Sequence, residues 1–169
     1  MEWTGARYAD GPTAEVTTWV EAAPEQVWAA VVDLAAMADA SPELQSVEWL
    51  DGAGPALGAR FVGRNRHEAL GEWSATSYVV ACDRPRVFAW AVADPDDPAA
   101  TWRFTLEPAG GGTRLTEWVR LGPGRSGLSQ AIERMPDKEQ KIVFVRLREF
   151  EQNMASTLAA IKQRVEAGA

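Results

Sequence analysis

Apolar and polar residues alternate with a period of two along most of the chain and switch to a helical period near its C-terminal end. From Glu15 to Glu21, Val16, Thr18 and Val20 share one face and Thr17 and Trp19 the other, which predicts a first strand. Pro24 then suits the first turn of a helix, where its missing N–H has no partner to lose, and Glu25 favours the positive helix end. Val27, Val31 and Leu34 follow at helical spacing, with Trp28 beside them. Asp33 to Ala40 continues as short helical turns, which Ser41-Pro42 interrupts.

A run of strands follows. Val47 and Trp49 mark the second, before the turn cluster Asp51-Gly52-Ala53-Gly54-Pro55. Arg60 to His67 is the third, with Phe61, Gly63, Asn65 and His67 on one face. Trp73 to Cys82 is the fourth, and Val87 to Ala93 the fifth. After the Asp94–Pro98 loop, Thr101 to Glu107 alternates Trp102, Phe104 and Leu106. Gly110-Gly111-Gly112 closes a hairpin onto a last strand from Thr113 to Leu121. Gly122 to Gly127 is either a gate or a plain connector, and Leu128 to Arg134 reads as a short helical segment.

Pro136 opens a long helix reaching about Val165, with an apolar stripe of Val143, Leu147, Phe150, Met154, Leu158, Ile161 and Val165. Such a helix spans about 45 Å at 1.5 Å per residue. Seven mostly antiparallel strands with short turns form one curved sheet. Its inner face needs covering, and only this helix is long and amphipathic enough. One helix about 10 Å wide does not fill a strongly curved sheet, so a cavity between them is expected. The fold class is therefore α+β, a single domain over 1–169 with its core at about 13–165.

Composition narrows the chemistry. The 169 residues hold one cysteine and one histidine, so an internal disulfide and Cys/His zinc sites are arithmetically excluded. A two-histidine iron site is excluded likewise. No cofactor or metal is implied. The formal net charge of −7 disfavours nucleic acid. The densest cations, Arg60, Arg64 and Arg66, share one strand face and read as a solvated surface or a phosphate patch. No stretch reaches the roughly 18 apolar residues of a membrane span, and Met1 to Asp10 lacks a secretory h-region, so a cytoplasmic location is expected.

The element order resembles the START-like or helix-grip superfamily, also called the polyketide cyclase/dehydrase and lipid-transport family. Four stretches resemble it locally: Val20 to Trp28, Gly58-Ala59-Arg60-Phe61, Asp83 to Trp90, and Gly112 to Glu117. The resemblance covers about Thr13 to Val165, nearly the whole chain. The resemblance implies a helix-grip fold, with two short helices between the first two strands and a sheet wrapped around the C-terminal helix. It implies a ligand cavity and no shared catalytic motif. Its members include carriers, receptors and cyclases, so fold alone does not choose among them.

The candidate site residues follow from strand parity. If Phe61 points inward, so do Asn65 and His67, and His67 is a general acid or base, unless the strand frays before it and leaves it in a solvated hairpin beside Glu68. Glu117 is a buried proton donor or acceptor if Leu115 and Val119 face inward, and a surface residue if Thr116 and Trp118 do. A buried Glu117 would look to Arg103 for a partner. Trp73 and Trp90, with Ser77 leaving room, are assigned to a ligand-stacking wall, and Trp102 to the core. Phe144, Leu147 and Glu151 are expected to face the cavity from the helix. Trp19 and Trp118 form either a partner surface or a partly buried pair, and Cys82 is a structural thiol. The expected function is binding or transport of a small apolar or aromatic ligand by a monomer or homodimer. A cofactor-free cyclase, aromatase or dehydratase is the alternative, and an interaction module ranks third.

Overall fold

Strand formation follows the alternation closely. In the computed structural model, which describes residues 1–168, the strands are β1 (Thr13–Val20), β2 (Leu44–Trp49), β3 (Arg60–His67), β4 (Gly71–Asp83), β5 (Val87–Val92), β6 (Ala100–Ala109) and β7 (Gly112–Leu121). They form one antiparallel, curved sheet in the order β1-β7-β6-β5-β4-β3-β2. The helices are α1 (Pro24–Val31), α2 (Leu34–Ala40), α3 (Gly127–Arg134) and α4 (Glu139–Gly168). This is the expected α+β helix-grip architecture, with both short helices between β1 and β2.

Local chemistry explains the helix ends. Pro24 occupies the first turn of α1, and Asp33 caps α2 by accepting the Ala36 N–H at 3.2 Å. The long helix begins later than Pro136 suggested. Pro136–Lys138 form a 3₁₀ turn first, so α4 starts at Glu139.

The register fixes which side chains point inward. Val16 pairs with Glu117, and Phe104 pairs with Glu117 from the other side. Phe61 pairs with Ser77, and Trp90 with Trp102. A bulge between Val79 and Ala81 breaks the alternation of β4, so Val79 and Cys82 both oppose inward residues of β5, Trp90 and Phe88. Helix α4 packs on β1, β7 and the short helices. Its stripe is buried as expected from Val143 to Ile161. No described helix is long and apolar enough to cross a membrane.

Candidate functional site

The buried apolar residues fall into two clusters rather than one. The first joins α1 and α2 to Phe61, Phe88, Trp90, Phe104, Leu115, Leu158 and Ile161. The second joins Ala14, Val119 and Leu121 to Leu128, Val143, Leu147, Phe150 and Met154. Val16, Val92 and Trp102 touch both clusters, yet all three are only partly buried. Val16 lies on the edge strand β1, Val92 ends β5 and Trp102 lies near the start of β6, and each shares the parity of a buried neighbour on its own strand, Val20, Trp90 and Phe104. These three residues keep accessible surface where the two clusters meet.

Glu117 sits on that boundary. It lies between Leu115 of the first cluster and Val119 of the second, so the inward parity is the observed one. Its residue is 5% exposed, and its Oε2 has no hydrogen-bond partner. Burial pushes its carboxyl well above the ordinary carboxylate range, because nothing in the apolar surroundings compensates the charged form. The partner expected from sequence is not there. Arg103 has the opposite parity and stacks on Trp118, its guanidinium 4.3 Å from the ring centre. On α4 the same boundary falls at Thr157, buried between Met154 and Leu158.

An aromatic chain runs along the inner sheet face. Phe61 meets Trp49 at 5.5 Å and Trp90 at 5.9 Å. Trp90 stacks on Trp102 at 6.3 Å with 12° between planes, and Trp102 meets the edge of Phe150 at 5.0 Å. The exposure of the two tryptophans runs opposite to the expectation. Trp90 is fully packed among Phe61, Phe88, Phe104 and Trp102, whereas Trp102 keeps accessible surface. The reason is position: Trp90 lies on a central strand inside one cluster, and Trp102 lies where the clusters part.

The other expected residues divide between the interior and elsewhere. Phe61 and Ser77 are buried and inward; Asn65 and Trp73 pair across β3 and β4 and are half-buried. Phe144 and Glu151 do not face the sheet. The Trp3 ring meets Phe144 at 5.2 Å, and Glu151 pairs with the Met1 amine at 3.3 Å. Helix rotation explains the correction: this flank of α4 carries the N-terminal segment, over a depression of about 430 Å³. Leu147 reaches both this depression and the second cluster. Another depression, about 410 Å³, lies between α2 and the C-terminal half of α4, beside the Asp33–Arg164 ion pair.

His67 is inward but committed. Its Nδ1 accepts the Ala69 and Leu70 N–H groups at 3.0 and 3.2 Å, which leaves the ring proton on Nε2, donated to Glu149. Arg146 completes the cluster, donating to Glu149 at 3.0 Å and through both terminal nitrogens to Glu43. Glu43, His67 and Glu149 bring ligand atoms within 4.8 Å of one another. The buried guanidinium already occupies the cation position, and a metal on Nε2 would need the ring proton on Nδ1, where two N–H donors point. The cluster is thus an ion-pair tie between α4 and the start of β2 and end of β3. Sequence reading missed Glu43, Arg146 and Glu149. One signal was available: residue 146 lies on the buried stripe, three after Val143 and four before Phe150, so a cation there demanded acidic partners.

Other expectations resolve more simply. The loop from Gly122 to Gly127 is pinned rather than free. The Tyr8 hydroxyl donates to the Gly124 carbonyl at 2.6 Å, and a Cβ on Gly124 would lie 2.0 Å from the Asp97 carbonyl oxygen. Trp19 is 42% exposed on the outer face, with Trp118 under Arg103. Cys82 packs against the first cluster, and burial pushes its thiol up.

Comparison with known proteins agrees with this geometry. The sequence profile described as polyketide cyclase / dehydrase and lipid transport matches residues 11–166. No curated protein matches by sequence. Among solved structures, a polyketide cyclase-like protein of Corynebacterium glutamicum is 28% identical, with a TM-score of 0.64 and 92% of each chain covered. A Thermus thermophilus protein is 18% identical, with a TM-score of 0.61, 94% of this chain and 99% of that chain covered. The di-domain ARO/CYC BexL is 19% identical, with a TM-score of 0.67; the match covers 92% of this chain and 50% of that one. The last two likenesses concern the fold alone.

Proposed function

Because the chain belongs to the polyketide cyclase/dehydrase and lipid-transport family, we propose that it binds a small, largely apolar, planar molecule between the sheet and α4. The observation that carries this reading is the boundary between the two apolar clusters. There Val16, Val92 and Trp102 keep accessible surface around a buried carboxyl without a partner. Trp102 offers a ring for stacking, Val16 and Val92 offer apolar walls, and Glu117 offers one polar contact. Of the other residues expected from sequence, the half-buried Asn65 and Trp73 extend the wall, and Phe61, Ser77 and Trp90 are packed in the core beside it.

Two measurements test it. Native mass spectrometry of the purified protein should show a small organic adduct that denaturation releases. Titration with neutral N-phenyl-1-naphthylamine should quench tryptophan emission saturably at one site, and Val16→Phe should abolish that binding while the fold persists. Absence of both an adduct and saturable quenching would overturn the reading.

The second reading is a cofactor-free cyclase, aromatase or dehydratase. It rests on the same carboxyl, whose raised proton affinity suits a general acid or base. His67, with both ring nitrogens engaged, is the weaker candidate for that role. On any substrate found, Glu117→Gln would then abolish turnover and leave binding; equal turnover would remove this reading.

A further inference from the structure

The polar contact at Glu117 sets what chemistry the occupant must present. Glu117 faces Val16 on β1 and Phe104 on β6, with Leu115 and Val119 along its own strand. None of these side chains donates or accepts a hydrogen bond. Oε2 has no partner among the described residues, and the nearest cation expected from sequence is on the other face of the sheet. An ionised carboxylate in that position would lack any counter-charge, so the acid form is the one burial favours.

A neutral carboxylic acid brings both a carbonyl and an O–H. Of the two, the orphaned donor is the rarer and more costly to leave unmade in protein interiors, while an under-satisfied carbonyl is better tolerated. What the site lacks is therefore an acceptor. A ligand hydroxyl would bring a further proton toward the apolar Val16, Phe104, Leu115 and Val119, and a carboxylate or ammonium would bring an uncompensated charge. A ketone, quinone or ester oxygen brings an acceptor and nothing else to satisfy.

Resting on the binding function proposed above, we infer that the interior site selects a neutral, planar ligand bearing an acceptor-only oxygen, and that Glu117 is the residue that determines this specificity by donating a hydrogen bond to it. Selectivity then lies in a single contact, and the aromatic and valine walls contribute affinity without discriminating the oxygen.

Three probes of one shape separate these contributions: fluorene, 9-fluorenone and 9-fluorenol. Dissociation constants are measured for wild type, Glu117→Leu and Glu117→Gln by fluorescence titration. The carbonyl stretch of bound fluorenone is read by infrared difference spectroscopy. Wild type is expected to bind fluorenone about 3- to 10-fold more tightly than fluorene, the range of one net hydrogen bond. Fluorenol should bind less tightly than fluorenone. The bound ketone stretch should move to lower frequency. Glu117→Leu should bind all three alike and lose the frequency shift. Glu117→Gln, which keeps an N–H donor, should retain part of both. Equal affinities for fluorene and fluorenone in wild type, or a preference that survives in Glu117→Leu, would overturn the inference and leave the binding function standing. Tighter Glu117-dependent binding of fluorenol than of fluorenone would also overturn it. Failure of wild type to bind any of the three would overturn both readings for ligands of this size.

Discussion

Replacing Glu117 by Gln should flatten the dependence of stability on pH above the ordinary carboxylate range. The folded state holds the Glu117 proton well above its ordinary value of 4.5, through burial alone. The unfolded chain releases that proton near the ordinary value. Between the two values the native state binds more protons, so unfolding stability falls as pH rises. The slope is about 1.4 kcal/mol per pH unit while the folded carboxyl keeps its proton. Wild type therefore loses stability relative to the variant as pH rises from the ordinary carboxylate range toward the folded value.

Other carboxyls act in the opposite direction. Asp33 is held below its ordinary value chiefly by the Arg164 hydrogen bond, Glu133 by Arg125, and Glu166 by Lys162. Their contributions are present above the ordinary carboxylate range and are lost as pH falls through it. A window starting at pH 5.5 therefore isolates Glu117. Urea denaturation of both proteins at half-unit steps from pH 5.5 to 8 supplies the difference curve. The amide leaves its own polar atoms unsatisfied, which shifts the curve by a constant and not its slope. Parallel curves for wild type and Glu117→Gln would refute the argument, because they would mean that Glu117 ionises alike in both states.

Three further substitutions probe the frame around the site. Arg146→Met removes the cation from between Glu43 and Glu149 and should cost about 3 kcal/mol in urea denaturation; adding Glu43→Gln should recover part of it, and strict additivity would show that the pair is not coupled. Gly124→Ala drives a Cβ toward the Asp97 carbonyl and should cost about 1–3 kcal/mol, with faster hydrogen exchange at the Gly124 N–H, which now donates to Pro98 at 2.8 Å. Asp33→Ala removes both the cap of α2 and the tie to Arg164, and should lower stability by about 1 kcal/mol at neutral pH; a change below 0.3 kcal/mol would show that α2 needs neither.

The sequence was legible where a rule acts within one element. β3 runs from Arg60 to His67 as read, because its alternation is uninterrupted and Gly71 turns the chain. The stripe of α4 was legible for the same reason. Its start was not, since Pro136 suits the first residue of a 3₁₀ turn as well as that of an α-helix. The parity of β7 was not legible either, because Leu115 and Val119 compete with Trp118 for the inside. What decides it is α4, which packs on β1 and β7 and buries the Leu115 face. The roles of Trp90 and Trp102 turn on the same distant fact. Both alternate correctly, and only the line where the clusters part tells them apart. Glu43 and Glu149 lie far apart in sequence, and only the closed fold brings them to one guanidinium.

That line also argues for function independently of any resemblance. A leucine at position 117 would continue the apolar row from Leu115 to Val119 and remove an orphaned Oε2. A bulkier residue at Val16 or Val92 would fill the accessible surface that both clusters leave uncovered. Either change follows ordinary packing preference, and a core selected for stability alone would be expected to have made it. The chain instead keeps an acid on the sheet and a buried threonine on the helix where the clusters meet, besides the buried Ser77 and a Thr113 whose hydroxyl donates to the Ala22 carbonyl. The ion-pair cluster is treated differently: there the charges of Glu43, Arg146 and Glu149 and the Nε2 side of the His67 ring are engaged with one another. Polar groups are satisfied in that cluster, and the Glu117 Oε2 is left without a partner among the described residues. If Val16→Leu and Glu117→Leu together raise stability and abolish probe binding, that trade between packing and occupancy is established; if binding survives, the interior space is a packing defect and not a site.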